Sequence, residues 1–223
     1  MSNSTDPLQA ELETRHRHTL LALNALRERR DRVSQIVMLT KNPAILCEEP
    51  YLEVVRASDF QPFTVQVTCG YWRDEARAFY ESQAPTVESR LRAIEILREA
   101  GVNVELRIDP LFPSSAVGAA LGTHGRLETY GLGEAQTAAD LEALVKCAAS
   151  VGCAAVVAKP LRVPHSAKAA RAKAWFGQLL LDASPGSKRV SRGRSWRLPD
   201  DYQKRIMLGL HRIGAARVIP AKH

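Results

Sequence analysis

VSQIVMLTKN (Val33–Asn42), FTVQVTCGYW (Phe63–Trp72) and VNVELRIDPLFP (Val102–Pro113) are three apolar runs, and each stops at a polar cluster. Short Val/Ile/Leu-rich runs with helical sequence between them are the pattern of buried parallel strands. The assembly that satisfies this pattern is a βαβ series. In such a series every strand C-terminus lies on one rim, which here collects Thr40, Lys41, Asn42, Thr68, Cys69, Arg107 and Asp109. That rim is where α/β proteins build their sites. The expected fold class is α/β: a partial (βα) barrel of about four parallel strands with helices, followed by a basic C-terminal extension.

Outward from this stretch, residues 7–30 read as a single helix. Leu8, Leu12, Thr19, Leu23 and Leu26 form its stripe and Asp6 its cap, ahead of Pro7 in the first turn. A short helix is expected over 50–57. GYWRDEARAFYESQAP (Gly70–Pro85) reads as a long, charged, lid-like loop. Thr86 caps a helix through Ala100 that Gly101 ends. The Gly- and Ala-rich span to Gly133 gives no clear element. Thr137 with Asp140 opens a helix through Ala149, and CAAVVAKP (Cys153–Pro160) is a fourth strand that brings Lys159 and Arg162 to the same rim. A further helix is expected over 166–181. SPGSKRVSRGRSWRLP (Ser184–Pro199) reads as a mobile loop, and Asp200 or Asp201 caps a last helix carrying Ile206, Met207, Leu210 and Ile213.

The 223 residues, 45% hydrophobic, suffice for one substantial core with an appendage, and the expected division is 1–185 and 186–223. No apolar run approaches the roughly 20 residues of a membrane span and the N-terminus lacks a signal core, so the expected location is cytoplasmic. Cys47, Cys69, Cys147 and Cys153 show no metal spacing and read as ordinary reduced thiols; no metal ligands are assigned. The histidines lack HxxxH spacing, and no G-x-S-x-G, GxGxxG or P-loop is present, which excludes the usual zinc-hydrolase, serine-hydrolase and nucleotide signatures. Net charge is +7, yet residues from Gly186 onward carry ten basic and two acidic side chains. Attraction to a polyanion therefore belongs to the tail.

TKNPAIL (Thr40–Leu46), VQVTCGYW (Val65–Trp72) and ESQAPTVESRLRAIEILREAGVNVELRIDPLFP (Glu81–Pro113), in that order, resemble the middle and C-terminal part of radical S-adenosylmethionine (SAM) proteins of the spore photoproduct lyase-like group. The shared pattern is a Thr-Lys after one strand, a Ser or Thr ending the next, and a Glu-x-x-Ala-Pro…Arg-Leu helix leading to a strand that ends in Asp-Pro. It covers roughly Arg15 to Arg162, about two-thirds of the chain. The resemblance implies a partial (βα)6 barrel that binds a [4Fe–4S] cluster and SAM. The family holds its cluster by a Cys-x-x-x-Cys-x-x-Cys loop, and no such triplet exists here. By this correspondence the first two barrel strands and the cluster loop are missing. The expectation is a truncated form, half of a split enzyme or a member that lost its chemistry, a chain that alone does not cleave SAM.

In the resemblance Lys41 matches the position whose ammonium contacts the SAM carboxylate, against a plain reading as a solvated lysine at a strand end. Thr68 matches the strand-ending residue that hydrogen-bonds SAM, against simple β-propensity. Arg107 and Asp109 either orient polar substrate groups or brace the rim as an ion pair. Lys159 and Arg162 either meet a substrate anion or form a solvated basic edge. Glu81 and Arg90 are expected to anchor the long loop to its helix. Expected partners are a separate N-terminal cluster-bearing chain, a second copy through the exposed first strand, and nucleic acid through the basic tail; no membrane is expected. The alternative function is a non-catalytic binding module whose tail, with Trp196 among Lys188, Arg189, Arg192, Arg194 and Arg197, contacts nucleic acid or a protein.

Overall fold

The computed structural model describes residues 6–60, 62–112, 135–164, 190–192, 195–197, 200–216 and 221–222. Strands β1 (Ile36–Thr40), β2 (Phe63–Thr68), β3 (Asn103–Leu111) and β4 (Ala155–Pro160) form a parallel sheet in that spatial order, with β1 at its edge. This is the α/β arrangement expected of a partial (βα) barrel. Each connection carries helix: α3 (Tyr51–Arg56), α4 (Asp74–Tyr80) with α5 (Val87–Glu99), and α6 (Ala138–Ser150).

The sheet has two unlike faces. Side chains alternate along a strand, so Met38, Val65, Val67, Val104, Leu106, Ile108 and Val156 point one way, and all are buried in one core with Ile94 and Leu97 of α5 and Leu141, Leu144 and Val145 of α6. Burying a side chain of that size contributes about 1.5–3 kcal/mol, so this face holds the fold together. The other face bears Thr64, Gln66, Thr68, Asn103, Glu105 and Arg107. The strands are buried as the runs led one to expect, but β2 and β3 carry polar side chains on this second face, where Val37 and Leu39 of β1 and Ala155 and Val157 of β4 flank them. In a (βα) barrel the side chains of one sheet face point into the lumen, and polar residues there can meet a ligand at its open end.

Local signals place the helices. Thr86 accepts a hydrogen bond from the Ser89 amide at 3.2 Å, and Thr137 and Asp140 form a reciprocal capping box. Gly101 (φ 81°) and Gly152 (φ 72°) stop α5 and α6 in the left-handed conformation that only glycine adopts without strain.

Four expectations are corrected. The first helix is two, α1 (Ala10–His16) and α2 (His18–Glu28), broken at Arg17 with φ 50°. The break lets the Glu13 carboxylate, 3% exposed, accept from the Thr19 amide in the first turn of α2 at 2.8 Å and from the Tyr51 hydroxyl at 2.8 Å. An anion at a helix N-terminus is favourable, which offsets the strained residue, and the kink turns Leu12 out to solvent. Asp6 is not a helix cap; it accepts from the Thr40 hydroxyl (2.8 Å), the Leu8 amide (2.9 Å) and the Lys41 amide (2.5 Å), pinning the N-terminal segment to the end of β1. The Gly70–Pro85 connection contains α4 and is not a bare loop. Finally, Val190–Arg192 (β6) and Ser195–Arg197 (β7) are strands of a small antiparallel sheet with β5 (Arg162–Pro164), within a stretch expected as loop.

The last helix, α7 (Asp200–Ala216), lies against α6 and β4 through Ile206, Met207 and Leu210, and Ala221–Lys222 (β8) adds a short parallel strand beside β4. The helix expected over 166–181, the 185/186 boundary and the Gly/Ala-rich span lie outside the described residues. No described helix is long and apolar enough to cross a membrane.

Candidate functional site

Of the predicted site residues, Lys41 lines one cavity at the C-terminal ends of the strands and Arg107, Asp109 and Lys159 line another, while Thr68 and Arg162 line neither. The first, about 660 Å3, lies between the N-terminal segment and the turn after α4, lined by Asp6, Leu8, Lys41, Asn42, Tyr80, Glu81 and their neighbours. The second, about 630 Å3, lies on the polar sheet face, lined by Leu39, Gln66, Arg107, Asp109, Pro110, Lys159, Pro160 and Leu161. Thr68 is buried at the end of β2, in register with Arg107 of β3. Arg162 has left the parallel sheet for β5.

In the first cavity a chain of charges descends from rim to core. Lys41 Nζ lies 2.6 Å from Glu81 Oε1, a charge contact without hydrogen-bond angles. Glu81 Oε2 accepts from Nη1 and Nη2 of Arg90 at 3.0 Å each. Arg90, fully buried, also donates to the Thr68 carbonyl at 2.8 Å and to the Pro85 carbonyl at 3.0 Å. Arg90 thus ties the end of β2 to both ends of the turn that follows α4, the anchoring role expected of this pair. Glu81 is 6% exposed and Lys41 42%, so Lys41 is the member that water and ligands reach.

In the second cavity Arg107 is fixed from two sides. Its Nε and Nη2 donate to Asp109 Oδ2 at 3.1 and 2.7 Å, and its Nη1 donates to Gln66 Oε1 at 3.0 Å. Gln66 is oriented in turn by donating to Glu105 Oε2 at 2.8 Å. The ion pair that braces the rim is therefore formed.

Gln66, Glu105 and Gln136 were not singled out from the sequence, and Asp6 only as a helix cap. For Gln66 and Glu105 the signal was present: Thr64-x-Gln66-x-Thr68 and Asn103-x-Glu105-x-Arg107-x-Asp109 alternate strictly with apolar residues, the mark of a two-faced strand. Gln136 and, at β1, Asp6 act through partners distant in sequence, which no local pattern marks.

The cysteines do not fit an iron–sulfur cluster. Burial pushes the Cys69 and Cys153 thiols up to about 12, and burial together with Glu48 pushes Cys47 up to about 11; Cys147 is also raised, by burial first and Glu95 second. The cysteines sit on four separate segments, and among the described residues no group of three His, Cys, Asp or Glu side chains is placed to hold a metal. It follows that Cys69 and Cys153 in the native protein should resist an aromatic disulfide reagent at mildly alkaline pH and react only on unfolding. Fast labelling of either without denaturant would contradict this environment.

Two solved structures of spore photoproduct lyase variants are similar to this chain at 11% identity and a TM-score of 0.48, covering 85% of this chain and 51% of theirs. The chain spans about half the length of those proteins. The group named from the sequence thus also appears among similar solved structures; at this identity and TM-score the likeness carries no argument about superfamily, reaction, ligand or partner. No protein-family profile and no curated protein sequence matches the chain.

Proposed function

We propose that this chain is the middle and C-terminal part of a barrel of the radical SAM type, that it binds SAM at the rim through Lys41 and Thr68, and that it does not cleave SAM alone. The observation that carries the reading is the state of Lys41. Its ammonium lines a cavity whose volume suits a small-molecule ligand and, among the described residues, is held only by a charge contact to Glu81. Glu81 keeps its two hydrogen bonds to Arg90 when Lys41 turns away, so a ligand carboxylate competes for Lys41 without unpairing a buried charge.

Because the four thiols do not fit the cluster, no radical step is assigned to residues of this chain, and the cluster is proposed to come from a separate chain. Calorimetric titration with SAM tests the site: Lys41→Ala should weaken binding at least about tenfold, the loss of one charge-assisted hydrogen bond. Anaerobic incubation with iron and sulfide should give no cluster absorbance in this chain alone. Equal SAM affinity in wild type and Lys41→Ala removes the rim assignment; a cluster assembled on this chain removes the need for a partner.

A further inference from the structure

The second cavity is built for a different chemistry from the first. Arg107 has five N–H donors; three are taken by Asp109 and Gln66, and one on each terminal nitrogen is left without a partner among the described residues. Its side chain is only 14% exposed and lines the cavity, so what surface it presents is within reach of a ligand there. Asp109 uses Oδ2 for both bonds to Arg107, which leaves Oδ1 without a partner among the described residues, on a side chain 37% exposed. Two directed donors on a cation therefore stand beside one acceptor on an anion, on a polar sheet face. Gln66, itself set by Glu105, and Asp109 hold the guanidinium still, so little orientation is lost when a ligand binds.

Charge decides the class of ligand. Arg107 and Lys159 at this cavity are balanced by Asp109 and by Glu105 behind Gln66. A phosphate dianion would meet no net positive charge here, and an apolar ligand would leave the polar groups unpaired. We infer that the cavity formed by Gln66, Arg107, Asp109 and Lys159 binds a free α-amino acid, its carboxylate on the unused donors of Arg107 and its ammonium on Asp109 Oδ1. The inference rests on the polar sheet face and is independent of the SAM reading. The apolar part of the cavity, Leu39, Pro160 and Leu161, receives the side chain.

The test is calorimetric titration of the full chain with each common L-amino acid, with the N-acetyl and α-amide derivatives of those that bind, and with inorganic phosphate. At least one free amino acid should bind, and blocking either its amine or its carboxyl should weaken binding about tenfold or more, since each removes a charge-assisted hydrogen bond. Asp109→Asn should abolish the preference for the free amine over the N-acetyl form, and Arg107→Gln should weaken both. The derivative series uses the unaltered protein, so it stands even if a variant fails to fold. No binding by any amino acid at millimolar concentration, derivatives that bind as well as their parents, or tighter binding of phosphate each overturn the proposal. SAM titrated against both variant sets separates the two readings. Loss with Arg107→Gln but not with Lys41→Ala would seat the amino-acid end of SAM in this cavity and remove the Lys41 assignment.

Discussion

Replacing Arg90 with methionine should lower the free energy of unfolding by about 3–5 kcal/mol, the usual result of removing one partner from a buried ion pair. Methionine fills much of the space and adds no polar group, so the loss is not a cavity effect. It comes from what is left behind. Glu81, 6% exposed, loses both hydrogen bonds from Arg90 and keeps only the charge contact of a half-exposed lysine, and the carbonyls of Thr68 and Pro85 lose a donor each. For a chain of this size the melting temperature should fall by roughly 10 °C, since about 2–4 °C accompanies each kcal/mol. Denaturant titration is the measurement. A shift below about 1 kcal/mol would mean that the turn after α4 relaxes and wets the pair. The double variant Arg90→Met/Glu81→Gln should recover part of the loss, because the stranded charge is gone while the two orphan carbonyls remain.

The same triad makes a contrasting demand of Lys41. Its contact with Glu81 is the outermost of the chain and half-exposed on the lysine side, while Glu81 is buried and keeps both hydrogen bonds from Arg90. Lys41→Ala should therefore cost clearly less stability than Arg90→Met while weakening ligand binding. Arg90 is a framework residue that holds Glu81 and the end of β2 in place, and Lys41 is the residue with freedom to change partners. A site needs both kinds: one charge locked so that the geometry persists, another that can let go.

What could be read from the sequence follows from the range over which each residue acts. The three quoted runs contain β1, β2 and β3, and Thr86, Gly101 and the Thr137/Asp140 box mark their helix ends, because strand alternation and capping are properties of neighbouring residues. The break at Arg17 was not legible: helical periodicity continues through it, and only Glu13 meeting Tyr51, 38 residues away, explains why the chain turns there. Ala221–Lys222 forms a strand because β4 offers an edge, with no local pattern of its own. At the site, the residue types at the rim were legible, but their partition between two cavities was not. Lys41 belongs with Glu81 of the following turn, whereas Arg107 belongs with Gln66 across the strand pair, and strand-end position alone is the same for both.

Gln136 is the residue that sequence gave least reason to notice and whose loss should be felt at the second cavity. Its side chain is fully buried. Nε2 donates to the carbonyls of Gly70 at 2.7 Å and Pro110 at 2.8 Å, and Oε1 accepts from the Phe112 amide at 2.9 Å. One amide thereby clips the segment after β2, the end of β3 and the approach to α6 at the mouth of the lumen. Gln136→Leu keeps the size and strands one donor and two acceptors, for an expected loss of about 2–5 kcal/mol. Gln136→Glu is the sharper experiment. At neutral pH a carboxylate facing two carbonyl oxygens is repelled and has no proton to give them, so the neutral acid is the favoured form and its pKa in the folded state must lie above the unfolded value. The defect relative to wild type is then largest above that raised value and shrinks as pH falls through it, when the protonated acid donates one of the two lost bonds. Melting temperatures of wild type and Gln136→Glu, compared from neutral to mildly acidic pH, should therefore converge. A constant gap would mean that the two carbonyls find water instead, and that the clip does not hold the mouth of the lumen.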